Sequence, residues 1–367
     1  MTDGESTGLS AHLIRRIHAE GPLPLADVMA TALTHPRLGY YATRDPFGAA
    51  GDFITAPEIS QMFGELIGLW AAIMWQAMGA PDRLTLVELG PGRGTLMADA
   101  LRAARVVPGF PDSVQVHLVE ASSTLRALQD KALARSGVRP KWHDTVGTLP
   151  DLPMILIANE FFDALPIQQL VRRKRRWHER QIGLNAAGDA LAWTEAPGPS
   201  PLEILIDPAV ARAAGEAEIV EVCPSGLSIA RSLGERLATW PGACLVIDYG
   251  YATPAAGDSL QALRGHRFAD ILSTLGSADL TAHVDFSTLS RAAVEGGARA
   301  HGPVAQGSLL QALGIDARAE ALRRAASPEQ ADAIAAAQHR LIDPSEMGTL
   351  FKAVAWTSSD MPTPVGF

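Results

Sequence analysis

The sequence predicts an α/β fold: a mostly parallel sheet covered on both faces, roofed by N-terminal helices and interrupted by an antiparallel insertion. Three observations carry this. Short apolar strands alternate with helices between Leu84 and Pro166, and a tight glycine turn, Gly90–Gly94, joins the first strand to its helix. The period then changes to short alternating runs after Ile167, and the strand–helix pattern resumes later in the chain. Alternating strands and helices imply parallel pairing, whereas short alternating runs joined by polar turns imply antiparallel pairing.

The elements follow in order. Leu9–Glu20 is an expected amphipathic helix, with Leu9, Leu13, Ile14 and Ile17 on one stripe and Ser10 as its cap; Leu25–Leu33 is a second. Pro36–Pro57 is a loop rich in glycine, proline and aromatic residues. Ile59–Met78 is apolar nearly all round, so one long buried helix is expected there. The strands Leu84–Leu89, Val114–Val119, Val138–Trp142 and Met154–Ala158 follow, with helices at Thr95–Arg105 and Ser122–Ser136 between them. Antiparallel strands are expected at Ile167–Arg172, Arg176–Leu184 and Ala190–Glu195, ended by the Pro- and Gly-rich stretch Ala196–Pro201. Ser225–Thr239 and Asp285–Glu295 read as helices, Ala243–Ile247, Ala298–Ala305 and Thr349–Trp356 as strands.

A length of 367 residues suggests two domains. The resumption of the pattern instead suggests one α/β domain with an insertion: a helical cap and lid over residues 1–80, the first half of the sheet over 81–166, inserted hairpins over 167–215, and the second half over 216–367 with a helical excursion near 308–342.

Composition narrows the function. The chain is 47% hydrophobic, enough for a sizeable core, which excludes a disordered or fibrous protein. Two cysteines, Cys223 and Cys244, build neither a disulfide framework nor a structural zinc site, and read as core residues. The most apolar stretch, Leu66–Trp75, is about half of the roughly 20 residues a membrane span needs. Met1–Ser10 carries Asp3 and Glu5 and no apolar run, so neither signal nor transit peptide is read there and a cytoplasmic location is expected. Net charge −9 disfavours a general nucleic-acid binder.

The richest segment is Val87-Glu88-Leu89-Gly90-Pro91-Gly92-Arg93-Gly94-Thr95. Glycines serve where backbone approaches a ligand or adopts positive φ, and this turn lies at the carboxyl end of a strand, where α/β sheets bind ligands. The dinucleotide fingerprint is G-x-G-x-x-G, but here Gly94 comes one position early. Glu88 would also repel a pyrophosphate; it suits a cationic ligand such as the methionine portion of S-adenosylmethionine. Glu120, which follows the second strand 26 positions after Gly94, can accept both hydroxyls of a ribose. The arrangement resembles class I S-adenosylmethionine-dependent methyltransferases. That resemblance implies a Rossmann-like seven-stranded sheet whose last hairpin is antiparallel, with Glu88, Gly90, Pro91, Gly92, Gly94 and Glu120 on the cofactor. Asp144, in Trp142-His143-Asp144, would sit near the adenine; a surface turn is the other reading.

Two further segments bear on the acceptor. Asn159-Glu160-Phe161-Phe162-Asp163 follows the fourth strand, where this enzyme class keeps target-binding groups; the alternative is that Asn159 and Asp163 cap a following helix. Gly51-Asp52-Phe53-Ile54-Thr55 precedes the long helix. Gly51, Asp52 and Thr55 fit a lid over the cofactor, or Thr55 and Pro57 simply start the helix.

Together with Ile247-Asp248-Tyr249-Gly250-Tyr251, Asp279–Phe286 and Met347–Lys352, in this order, these segments resemble the MidA-like family of methyltransferases over roughly residues 8–356. The family includes a mitochondrial complex I assembly factor. The resemblance implies symmetric dimethylation of an arginine on a respiratory complex I subunit, hence a protein partner. A guanidinium needs carboxylates to orient it, so Glu160 and Asp163 are candidates for its clamp with Asn159 steering its nitrogen, and methyl transfer from a sulfonium requires no metal. Competing readings are a methyltransferase for a small molecule or nucleic acid, and an assembly chaperone that retains the fold. Arg172–Arg176 with Trp177 is the one basic cluster, read as an exposed hairpin turn or as a docking patch for nucleic acid or an acidic protein. His266 and His283 lack metal-ligand spacing. The residues do not indicate the oligomeric state.

Overall fold

The computed structural model describes residues 6–43 and 54–367. The chain divides into two compact units, each discontinuous in sequence. One comprises Met1–Phe53, Asp163–Leu227 and Thr253–Thr288; the other comprises Ile54–Phe162, Ser228–Ala252 and Leu289–Phe367.

The second unit holds the sheet that the alternating pattern predicts. Its strands are β1 (Leu84–Leu89), β2 (Val114–Val119), β3 (Lys141–His143), β4 (Met154–Asn159), β5 (Gly242–Tyr251), β6 (Arg299–Ala305) and β7 (Phe351–Thr357). They lie in the order β6-β7-β5-β4-β1-β2-β3. Strands β5, β4, β1, β2 and β3 are parallel, and β7 runs antiparallel to both β5 and β6. Every residue of β1 and β4 is buried, which is why both read as unbroken apolar runs rather than alternating ones.

The helices α1 (Ala56–Ile59), α2 (Gln61–Ala77), α3 (Thr95–Ala104) and α4 (Ser123–Leu133) belong to this unit. The single helix expected over Ile59–Met78 is in fact two. Ser60 is extended, with φ −160° and ψ 138°, and its hydroxyl caps α2 by accepting the Met62 N–H at 3.2 Å. Thr55 occupies the position before α1, but its side chain makes no capping bond. The core joins Leu66, Ile67 and Trp70 of α2 to Leu86, Ile155, Ile157, Leu245 and Ala355 of the sheet. The helical excursion comprises Gln306–Ala312, Ile315–Arg324 and Pro328–Ile342. It is tied to α2 through the buried Glu65, which accepts from Arg318 at 2.7 Å and Arg102 at 3.1 Å.

The first unit is antiparallel. Leu23–Pro24, Gln168–Arg173, Arg176–Leu184, Leu191–Pro199 and Ile219–Val222 form one sheet, and Gln261–Arg264, Arg267–Ala269 and Asp279–Thr281 another. The strand Leu191–Pro199 runs through residues expected to break the sheet. It does so because a register shift between His178 and Arg180 takes up the irregularity, with the prolines in its last three residues. Helices Ser6–Glu20 and Leu25–Thr34 pack Leu9, Leu13, Val28 and Met29 against Ile182 and Leu280. Among the described residues, no helix is long and apolar enough to cross a membrane.

Candidate functional site

The turn after β1 brings three glycines into the left-handed region, Gly90 at φ 57°, Gly92 at 53° and Gly94 at 83°. An L residue there costs about 1–2 kcal/mol, which explains the residue type. At Gly90 there is also no room: a Cβ would lie 2.9 Å from Phe161. The turn is closed by the Gly94 N–H donating to the Pro91 carbonyl at 2.7 Å, and Gly90 is tied to β2 through the Val119 carbonyl at 3.0 Å. Gly94 also begins α3, whose first-turn N–H groups have no partner within the helix. Glu88 satisfies one of them, accepting the Met97 N–H. Among the described residues its Oε2 has no hydrogen-bond partner, although Glu88 is only 4% exposed. Burial pushes the Glu88 carboxyl up to about 8.

Glu120 stands beside this turn. Its carboxylate accepts the Ser122 N–H at 2.8 Å and the Gln129 side-chain amide at 3.2 Å; burial still raises its pKa. Gln129, fully buried on α4, also donates to the Gly92 carbonyl at 2.8 Å and accepts from the Trp142 indole at 2.8 Å. It therefore joins the glycine turn to Glu120, a role that its place on a helix stripe does not signal. Asp144 is 80% exposed and pairs with Arg126 at 2.5 Å, while Arg126 Nε donates to the Glu120 carbonyl at 2.7 Å.

At the end of β4 the chain turns sharply. Glu160 has φ +50°, unusual for a residue with a side chain. Its Oε1 accepts the Ala56 N–H at 3.0 Å and the Asn159 amide at 3.0 Å, and its own N–H donates to the Ile247 carbonyl at 2.9 Å. No helix follows, so Asn159 caps none. Two residues on, the Phe162 N–H donates to Oδ2 of the fully buried Asp248 at 3.0 Å; Asp248 Oδ1 accepts the Tyr249 N–H at 2.9 Å. The short helix α1 reaches the glycine turn as well: Glu58 accepts from the Thr95 hydroxyl at 2.5 Å and lies 3.7 Å from Arg93. Asn159, Glu160, Glu88, Glu120 and the glycine turn thus share one unit.

Asp163 belongs to the other unit, where it is buried and its carbonyl accepts the Ala282 N–H at 3.0 Å. Nearby, Tyr41 donates to Asp279 at 3.0 Å; burial, Asp279 and Asp163 hold the Tyr41 phenol well above its usual pKa. Gly51 and Asp52 lie outside the described residues. The basic cluster forms a hairpin turn at Lys174-Arg175. Arg173 pairs with Glu195 at 2.6 Å, Arg176 with Glu203 at 2.9 Å, and Arg172 with the carbonyls of Ala211 and Ala214. Much of its charge is thus satisfied within the unit. Cys244 is buried in β5, but Cys223 is only partly covered, near Pro166 and Ser225.

Comparison with known proteins agrees with this geometry. A model of the S-adenosyl-L-methionine-dependent methyltransferases matches residues 66–304. A mouse protein named protein arginine methyltransferase NDUFAF7, mitochondrial, is 37% identical over 94% of this chain and 83% of its own. Its human counterpart is 35% identical over 95% and 83%, and the Drosophila homolog 36% identical over 95% and 84%. A Burkholderia thailandensis crystal structure with bound S-adenosyl-homocysteine superposes with TM-score 0.84 at 28% identity, covering 99% of this chain and 94% of that one. The fold is that of the class I methyltransferases. The expected cytoplasmic location is overturned by these names, which place the relatives in mitochondria. The expectation rested on ten N-terminal residues, and their composition does not report where the folded protein works.

The residues present fit S-adenosylmethionine, the cofactor. Glu88 offers a buried oxygen with no donor among the described residues, and the turn beside it presents the bare backbone of Gly90, Gly92 and Gly94.

Proposed function

We propose, since this chain belongs to the family of S-adenosylmethionine-dependent methyltransferases, that it methylates an arginine of a protein partner. The relatives' names supply the acceptor class, and the turn after β4 supplies chemistry suited to it. The observation that carries the reading is Glu160, whose carboxylate is fixed by two N–H donors at the end of the strand beside the glycine turn. An arginine stays charged up to a pH above about 12, so it needs a carboxylate to orient its plane. Asn159 holds Glu160 in place through its side-chain amide.

When bound, the cofactor supplies a methyl group on a sulfonium, open to in-line attack. The nitrogen that forms the new bond to carbon must give up one proton as the bond from sulfur to that carbon breaks, and we assign Glu160 to take it. Alignment and exclusion of water account for most of the acceleration in such a displacement. Among protein partners we propose a respiratory complex I subunit, modified during assembly and carrying a symmetrically dimethylated arginine. This finer reading is supported by the resemblance of the ordered motifs to the MidA-like family.

Mass spectrometry of complex I from cells with and without the protein tests it. Loss of a dimethylarginine from one subunit is the expected outcome. An unchanged arginine complement would overturn the complex I reading. Methylation of the purified subunits in vitro with labelled cofactor would separately decide the residue type.

A further inference from the structure

In the first unit the strands Gln261–Arg264 and Arg267–Ala269 form a hairpin closed by Gly265-His266, both in the left-handed region at φ 55° and 59°. Two such residues in a row match the twist of the strands they join, and asparagine, aspartate or glycine usually fills both places. A histidine in the second is strained where a glycine would not be. The base of the hairpin is anchored: Ala262 is buried opposite Leu280 of the neighbouring strand, and Ala269 packs on the same core.

Beyond that base the side chains stand in solvent. Arg264, His266 and Arg267 are exposed, and Phe268 is 77% exposed, the most exposed aromatic side chain among the described residues. Arg264 lies directly opposite Arg267, and Leu263 opposite Phe268. Side chains alternate along a strand, so one face of the finger carries the arginines and the other the apolar pair. Like charges facing each other across a strand pair destabilise it, and among the described residues neither arginine has a carboxylate partner. The acid next along the chain, Asp270, instead accepts the Ser273 N–H at 2.9 Å.

A strained histidine, a repelling arginine pair and an uncovered phenylalanine are thus gathered on one finger, and none of them helps the chain to fold. A partner with carboxylates for the arginines and an apolar cleft for Phe268 relieves the last two, and arginine and aromatic side chains are the types enriched where interfaces bind most strongly. We infer that the tip, Arg264–Phe268, docks an acidic segment of the protein that is methylated, a contact separate from the arginine that receives the methyl. The net charge of −9 disfavours a nucleic acid in this place. A second copy is disfavoured because a two-fold contact would set the arginines of one finger against those of the other. The inference rests on a protein acceptor, the reading proposed above.

Initial rates on the purified complex I subunits, with the acceptor varied, test it. R264E/R267E should raise KM about tenfold or more and leave kcat and S-adenosyl-homocysteine affinity unchanged, the latter reporting a folded variant. F268S should raise KM about tenfold as well, and added salt should raise it for the wild type but not for R264E/R267E. An unchanged KM in both variants would overturn the docking role. Cross-linking needs no prior choice of acceptor: p-benzoylphenylalanine in place of Phe268 is irradiated in cells and the linked peptides are sequenced. The expected product is a peptide rich in Asp and Glu from a protein that carries a methylated arginine, in a yield that R264E/R267E lowers about tenfold. Links to nucleic acid, lipid, a second copy or a peptide without acidic residues, or no link at all, would discard the inference. Absence of methyl transfer to every purified subunit sinks the complex I reading, while the cross-link still decides the docking.

Discussion

Gln129 donates one side-chain amide to two places at once, the carbonyl of Gly92 at 2.8 Å and the Glu120 carboxylate at 3.2 Å. The backbone of the glycine turn and the ribose-binding candidate therefore take their spacing from one buried side chain. Gln129→Leu keeps the volume but removes both bonds and strands the Trp142 indole, whose N–H donates to the same residue. At about 1 kcal/mol per net bond, S-adenosyl-homocysteine affinity should fall about tenfold or more, together with a lower melting temperature. Calorimetry and a thermal scan read the two effects; affinity unaltered in a folded variant would remove Gln129 from the site.

Gly92 holds φ +53° in the turn that we assign to the cofactor. Gly92→Val places a β-branched side chain there, at a conformational cost of about 1–2 kcal/mol, and should abolish cofactor binding while the far-ultraviolet dichroism stays native. Retention of normal S-adenosyl-homocysteine affinity in this variant would show that the turn is only a structural connection.

Glu88 links stability to pH. Its folded pKa is about 8 against 4.5 in the ordinary state, so the neutral form is the one the fold prefers. Its contribution is complete below about pH 4.5 and is lost as pH rises through about 8. In the absence of cofactor, urea midpoints of the wild type should decline relative to Glu88→Gln across this window, by an amount on the order of a few kcal/mol. Parallel midpoints for the two proteins would mean that Glu88 titrates normally.

Glu160→Ala should leave S-adenosyl-homocysteine affinity within a few-fold of normal and remove methyl transfer to the protein acceptor. The measurement is a filter assay with labelled cofactor, and full turnover would exclude Glu160 from the clamp.

Asp248 is the buried support of the same turn. Asp248→Asn leaves one oxygen for two donors, Phe162 N–H and Tyr249 N–H, and sets an amide against one of them. A loss of about 1–3 kcal/mol of stability is expected, with transfer impaired more than cofactor affinity. Denaturant titration beside a kinetic assay distinguishes this from a site that tolerates the change.

What could be read from the sequence was local chemistry. The glycine spacing, Glu88 before it and Glu120 after the next strand all lie within one strand–helix–strand unit, so their order along the chain is also their order in space. The parallel pairing of the sheet followed from the same alternation, while its antiparallel last hairpin was implied only by the family resemblance. Gln129 could not be found that way, because it reaches Gly92, 37 positions off, from a helix whose pattern already has a packing explanation; Asp248 stood in one of the ordered segments, but its bond to Phe162, 86 positions off, did not show there. The break at Ser60 was hidden for a different reason. A segment apolar on every side shows no change of period where it stops being helical. Glu160's left-handed backbone was equally silent, since nothing about a glutamate announces positive φ.

The four residues of α1 touch two things at once. Ala56 holds Glu160, 104 positions away, and Glu58 holds Thr95 at the head of the glycine turn. The first contact uses the backbone N–H of Ala56, which any residue but proline would supply, so it depends on the path of the chain there, whereas the second depends on both side chains. A shift of this one short turn of chain would therefore be felt at Glu160 and at Thr95 together, although the segment precedes the sheet altogether.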